Sequence, residues 1–280
     1  MEATRGTVPS RGFDIAVRDH RPEEPSGDVV LALHGFPDTG DLWDDLAGRL
    51  AADGIRTIAP DTLGCGRSDL GRRLRDYRVE GIVADLIAVL DHLGIDRVRV
   101  VGHDWGAVIG WFLTIAHPER VAGFAAMSVG HPTVYARAGL DQKRAGWYVG
   151  MFVLGGVADR ALASGGPLGL DRVFPGHPDM AGVLRRLSAP GRMTAALRIY
   201  RANAATVLAG NHPPATVPVI GVWSDRDPLL VRSQMERSAE RVDAPWQFRA
   251  VEDCGHWIPF DQPQATYEIV TELVAMTAEG

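Results

Sequence analysis

Three separated residues, Asp104, Asp227 and His256, carry side chains that together can form and then hydrolyse a covalent ester. Asp104 is the centre of Gly102-His103-Asp104-Trp105-Gly106, directly after the mostly apolar, β-branched run Val98-Arg99-Val100-Val101. An apolar helical pattern runs on from Val108 to about Ala116. Two glycines at this spacing permit a sharp strand-to-helix turn that pushes the central side chain into the open. A nucleophile presented this way needs a base, and an acid to orient that base, in the chain order nucleophile, acid, histidine. The acid is expected in the loop after a late strand, and Ser224-Asp225-Arg226-Asp227-Pro228 follows the strand-like residues 217–223. Asp227 is the choice, with Asp225 the alternative, read as a turn residue or a partner of Arg226. His256, in Cys254-Gly255-His256-Trp257, is the only histidine after the last strand signal and is the expected base.

An aspartate at this turn selects its substrates. A carboxylate needs no deprotonation, so it can attack a saturated carbon and displace an alkoxide or a halide. The product is an alkyl ester on Asp104, which water activated by His256 would then hydrolyse. Attack on an ordinary ester would give only an anhydride. The chemistry therefore points to a strained ether or a carbon–halogen bond. His34-Gly35-Phe36-Pro37, at the end of another apolar strand, is read as the loop that shapes an oxyanion hole, with His34, Gly35 and Pro37 supporting it. The hole itself would be the backbone N–H groups of Phe36 and Trp105. His103 should point away from Asp104 and pack. Ser128, Cys65 and Cys254 lack the turn context of a nucleophile.

The leaving group separates the two substrate classes. An alkoxide needs a proton donor, and a neutral tyrosine, with a pKa of about 10, supplies one at pH 7. Tyr135, Tyr148 and Tyr200 lie in a segment where strand signals stop.

The elements that must position these groups read as alternating strands and helices. An early antiparallel edge strand is expected over residues 12–18, buried parallel strands over 28–34, 55–61, 98–103 and 121–129, and later strands over 217–223 and 246–251. Helices are expected over residues 42–50, 79–93 and 263–276. The fold class is α/β, a mostly parallel twisted sheet covered by helices. Residues 133–210 read as a helical cap inserted between a first core part, residues 1–132, and a second, residues 211–280.

Composition bounds the partners. With 46% hydrophobic and 23% charged residues, the chain of 280 residues has enough apolar material for a sizeable core. A net charge of -6 argues against nucleic acid or an anionic membrane as the main partner. No apolar run is long enough to span a bilayer, the N-terminus lacks a secretory pattern, and Cys65 and Cys254 have no metal-like spacing. A cytoplasmic protein with reduced thiols, no cofactor and no metal is expected. The sequence leaves the oligomeric state open.

Over nearly its whole length the chain resembles the α/β-hydrolase-fold epoxide hydrolases. His34-Gly35-Phe36-Pro37, Gly102-His103-Asp104-Trp105-Gly106 and Gly255-His256-Trp257 match that family's motifs, and Asp227 falls at its acid position. The resemblance implies the α/β-hydrolase fold with its helical cap, a small apolar epoxide as substrate, and a pair of ring-opening tyrosines in the cap. Tyr148 with Phe152, and Tyr200 with Arg201, occupy the matching positions. The alternatives are a haloalkane or haloacetate dehalogenase with the same Asp nucleophile, Trp105 then serving as halide donor, and a non-catalytic relative that binds a small ligand. Haloacetate dehalogenases carry an Arg after the nucleophile, where this chain has Trp105.

Overall fold

The computed structural model describes residues 3–163 and 165–278. Its strands are β1 (Thr4–Ser10), β2 (Phe13–His20), β3 (Val29–Leu33), β4 (Arg56–Pro60), β5 (Val98–His103), β6 (Val121–Met127), β7 (Val219–Ser224) and β8 (Trp246–Val251). They form one sheet in the order β1-β2-β4-β3-β5-β6-β7-β8. β2 pairs antiparallel with β1 and β4, and every pair from β4 to β8 is parallel.

The central strands are apolar on both faces because both are covered. Val30, Leu31, Ala32 and Leu33 of β3 are all at 0% exposure, so this strand reads as a continuous apolar run without alternation. On one face pack α2 (Val79–His92) and α3 (Trp105–Ala116), with Ile82, Val83, Leu86, Val89 and Leu90 forming the inward stripe of α2. The other face is covered by α1 (Asp44–Ala52) and, at the end of the chain, by a helix over residues 263–276, through Leu46, Leu50, Ile269, Val270 and Leu273.

Between β6 and β7 the described residues hold the helices α4 (Pro132–Ala136), α5 (Leu140–Ala145), α6 (Trp147–Val153), α7 (Val157–Ala163), α8 (Leu170–Val173), α9 (Met180–Leu187) and α10 (Arg192–Leu208), and no full strand. Phe152, Leu162, Leu187 and Leu197 from these helices join the same buried cluster as α2 and α3. Three further α-helices follow among the described residues: α11 (Arg232–Glu236), α12 (Ile258–Asp261) and α13 (Pro263–Met276). Among the described residues no helix is long and apolar enough to cross a membrane.

Two expectations need correction. The strand over residues 12–18 is β2 and is not the edge; β1 lies outside it. β1 escapes a sequence reading because Thr4, Arg5, Gly6 and Thr7 are exposed and Val8 is its one buried hydrophobic residue. The helix after Asp104 starts at Trp105, three residues before its apolar pattern becomes regular.

Candidate active site

Asp104 stands between β5 and α3 at φ 54°, ψ -119°, a conformation sparsely populated by residues with a side chain. Packing around the turn enforces it. A Cβ on Gly106 would lie 1.9 Å from the Leu33 carbonyl oxygen, and one on Gly35 would lie 2.5 Å from the Asp104 Cβ. Only glycine lets strand, helix and the neighbouring loop approach this closely.

That loop supplies the first contact to the carboxylate. The Phe36 N–H donates to Asp104 Oδ1 at 2.9 Å. Trp105 is the first residue of α3, so its amide is among the N–H groups that a helix start leaves without an intrahelical acceptor. His34 holds the loop from below. Its Nε2 accepts from the Thr62 N–H at 3.1 Å, which places the ring proton on Nδ1, donating to the Gly35 carbonyl at 2.8 Å. Pro37 follows Phe36 in a cis peptide.

His256 lies between two carboxylates. Its Nδ1–H donates to Asp227 Oδ2 at 2.8 Å, and its Nε2 stands 3.7 Å from Asp104 Oδ2, an ion-pair contact too long for a hydrogen bond. Asp227 is aimed by the loop behind it, since its Oδ1 accepts from the N–H groups of Leu229 at 2.7 Å and Leu230 at 3.2 Å. Burial disfavours the charged imidazole, but the negative charges and contacts of Asp227 and Asp104 outweigh it and push the His256 pKa up to about 10. Burial likewise works against ionised Asp104, yet His256 holds its carboxyl below the usual range.

Asp225 does not reach the histidine. It accepts from the Cys254 N–H at 3.1 Å and so is a turn residue, while Arg226 pairs with Asp253.

The phenols of Tyr148 and Tyr200 meet Asp104 in one cavity of about 100 Å³, which Trp105, Tyr135 and Leu230 also line. The two tyrosine-bearing helices are tied together, because Arg201 donates through Nε to the Phe152 carbonyl at 2.9 Å and pairs with Asp159. Tyr200 packs edge-on against Trp105, Phe36 and Phe152, with ring centroids 5.0, 5.5 and 5.0 Å away. Its hydroxyl is buried with no partner at hydrogen-bonding geometry among the described residues. Burial first, and the Asp104 charge second, raise both phenols well above their ordinary pKa, so both stay protonated.

Two connections go beyond the sequence reading. His103 does more than pack: fully buried, it donates from Nε2 to the His256 carbonyl at 2.8 Å. Burial, and next the charge of His256, lower its pKa to about 4, so the ring is neutral. Asp38 accepts from His177 Nε2 at 3.0 Å and from Trp257 Nε1 at 3.2 Å. The His177 Nδ1 accepts from the Asp179 N–H at 3.0 Å, which fixes the proton on Nε2. One carboxylate thus joins the Phe36 loop, the residue after His256 and the inserted helices. The sequence signals were the extension of the His34 motif to Asp38 and the isolated His177 in Pro175-Gly176-His177-Pro178.

Residues 28–263 match the sequence profile of the alpha/beta hydrolase fold. The chain belongs to that family. The turn at Asp104 and the loops that carry Asp227 and His256 stand at the C-terminal ends of parallel strands β5, β7 and β8. It is 28% identical to Epoxide hydrolase A of Mycobacterium tuberculosis, over 86% of this chain and 88% of that protein. It is 26% identical to Epoxide hydrolase 3 of Xenopus tropicalis, over 88% and 71% respectively. Among solved structures, an epoxide hydrolase from metagenomes of hot environments superposes with a TM-score of 0.84 at 26% identity, covering 98% of both chains.

Proposed function

We propose that this α/β-hydrolase opens small, neutral, apolar epoxides to vicinal diols through an ester on Asp104. The observation that carries this reading is the convergence of a carboxylate nucleophile and two protonated phenols in one apolar cavity. Asp104 Oδ2, left free by the Phe36 bond to Oδ1, attacks an epoxide carbon. The carbon–oxygen bond breaks, and its electron pair stays on oxygen, which takes a proton from Tyr148 or Tyr200. Ester formation removes the Asp104 charge that helps hold the proton on His256. The imidazolium then returns a proton to the phenolate and becomes neutral.

His256, oriented by Asp227, next takes a proton from water as the water oxygen attacks the Asp104 carbonyl carbon. The developing charge falls on Oδ1, where the Phe36 and Trp105 amides form the oxyanion hole. Collapse expels the diol alkoxide, which is protonated by His256, and the carboxylic acid left on Asp104 gives its proton back to the imidazole. The sum is epoxide plus water to diol.

Residues 133–210 act in this reading as a cap that brings the phenols to a core formed by residues 1–132 and 211–280. Among the described residues the cavity lining includes no arginine or lysine to bind the carboxylate of a haloacid, which weighs against the haloacetate alternative. The cavity of about 100 Å³, lined mostly by apolar side chains, supports a compact, apolar substrate. Composition and the two free cysteines support a reducing, cytoplasmic setting. The test is turnover of small alkyl and aryl epoxides against haloalkanes, read as diol and as halide. Diol formation that disappears in Asp104→Ala supports the reading, and halide release without diol overturns it.

A further inference from the structure

Gln142 of α5 is one of the few uncharged polar side chains buried in the inserted helices, at 4% exposure, and both ends of its amide are used. Its Nε2 donates to the Leu229 carbonyl at 2.9 Å, and its Oε1 accepts from the Val231 N–H at 3.0 Å. The carbonyl of one residue and the N–H of the second residue after it are the pair that a neighbouring parallel strand would take up. The amide thus replaces a strand partner for a loop that has none. This is the loop that aims Asp227: the N–H groups of Leu229 and Leu230 hold Asp227 Oδ1, and the Leu230 carbonyl is taken by Trp223 Nε1 at 2.9 Å. Gln142 also adjoins the helix that carries Tyr148. Its backbone carbonyl accepts from the Gly146 N–H at 2.9 Å, at the junction where α6 and Tyr148 begin.

We propose that Gln142 is a positioning residue for ester hydrolysis: its amide clamps residues 229–231 so that Asp227 stays aligned on His256, and it makes that alignment depend on the seating of α5 and α6. The inference rests on the epoxide-opening reading. Ring opening uses Asp104 and the phenols, whereas hydrolysis uses the Asp227–His256 pair, so loss of the clamp should act on the second step. A residue that merely held the fold together would affect both steps alike.

The test is rapid mixing of the native chain and Gln142→Met with an epoxide that the native chain turns over, with the rates of ester formation and ester decay measured separately. Gln142→Met keeps the length of the side chain and removes both hydrogen bonds. The expected result is a roughly tenfold slower decay, the scale of one lost buried hydrogen bond, with formation changed less than about twofold, so that ester accumulates. Equal slowing of both steps, or no change in decay, overturns the proposal. Should Gln142→Met fail to fold, the same rates on Gln142→Glu decide, because its carboxylate keeps the Val231 bond but faces the Leu229 carbonyl without a proton to donate. Absence of diol from every epoxide with the native chain would instead overturn the underlying reading.

Discussion

The Phe36 N–H donates to Asp104 Oδ1 at 2.9 Å, and this bond sorts two chemically equal oxygens into different positions. Oδ1 faces the Phe36 amide of the loop, Oδ2 faces His256 at 3.7 Å, and the Trp105 amide begins the helix beside them. In the proposed cycle Oδ2 becomes the ester oxygen and Oδ1 the oxyanion. Both backbone donors are fixed by elements that meet only because Gly35 and Gly106 carry no side chain. In a single turnover in ¹⁸O-labelled water, the label should therefore enter Asp104 and the diol should carry none. Label in the diol would mean direct attack of water on the epoxide.

The proton inventory of His256 sets a pH dependence. Its pKa of about 10 depends in part on anionic Asp104, and ester formation neutralises that group. Hydrolysis of the isolated ester should rise with pH as the imidazole loses its proton, with an apparent pKa below that of the free protein. Ester decay followed from about pH 6 to pH 10, beside NMR titration of the free protein, checks this. An ester-form value equal to or above the free value would show that Asp104 does not hold the His256 proton.

Tyr148→Phe and Tyr200→Phe should each slow ring opening by roughly 10²-fold, the low end for loss of a general acid, while leaving ester decay nearly unchanged. Because both phenols are held well above their ordinary pKa, ring opening should not fall through pH 9 from their ionisation. Rapid-mixing traces of ester formation measure both points. Two variants with native opening rates would remove the tyrosines from the reaction.

His177→Ala should lower stability by about 1–3 kcal/mol, because Asp38 would stay buried with one of its two hydrogen bonds gone. Denaturant unfolding measures the loss. A native midpoint would show that the His177–Asp38 contact holds nothing in place.

These contacts mark where sequence reading stops. Asp104, Asp227 and His256 can be placed from the sequence because each follows a strand-like run closed by turn residues, and because their order is the one expected of a nucleophile, an acid and a base. β8 and α13 are legible to the residue for the same reason, a clear period between turn residues. β1 has a single buried hydrophobic residue and gives no period to read. His103, His177 and Gln142 are isolated polar residues whose partners lie 153, 139 and 87–89 positions away. Sequence neighbours can draw attention to such a residue, as at His177, but do not show its distant partner. Tyr148 and Tyr200 fall between these cases. Both line one cavity, and α6 and α10 are tied through Arg201 and Phe152, a contact that spacing alone cannot reveal.

The most direct test uses His256→Gln, which should form the ester and hydrolyse it slowly. Mixed with an epoxide that the native chain converts, this variant should gain the mass of one epoxide, and peptide mapping should place the gain on Asp104. No adduct in a folded variant, or an adduct on any other residue, would contradict a covalent mechanism through Asp104.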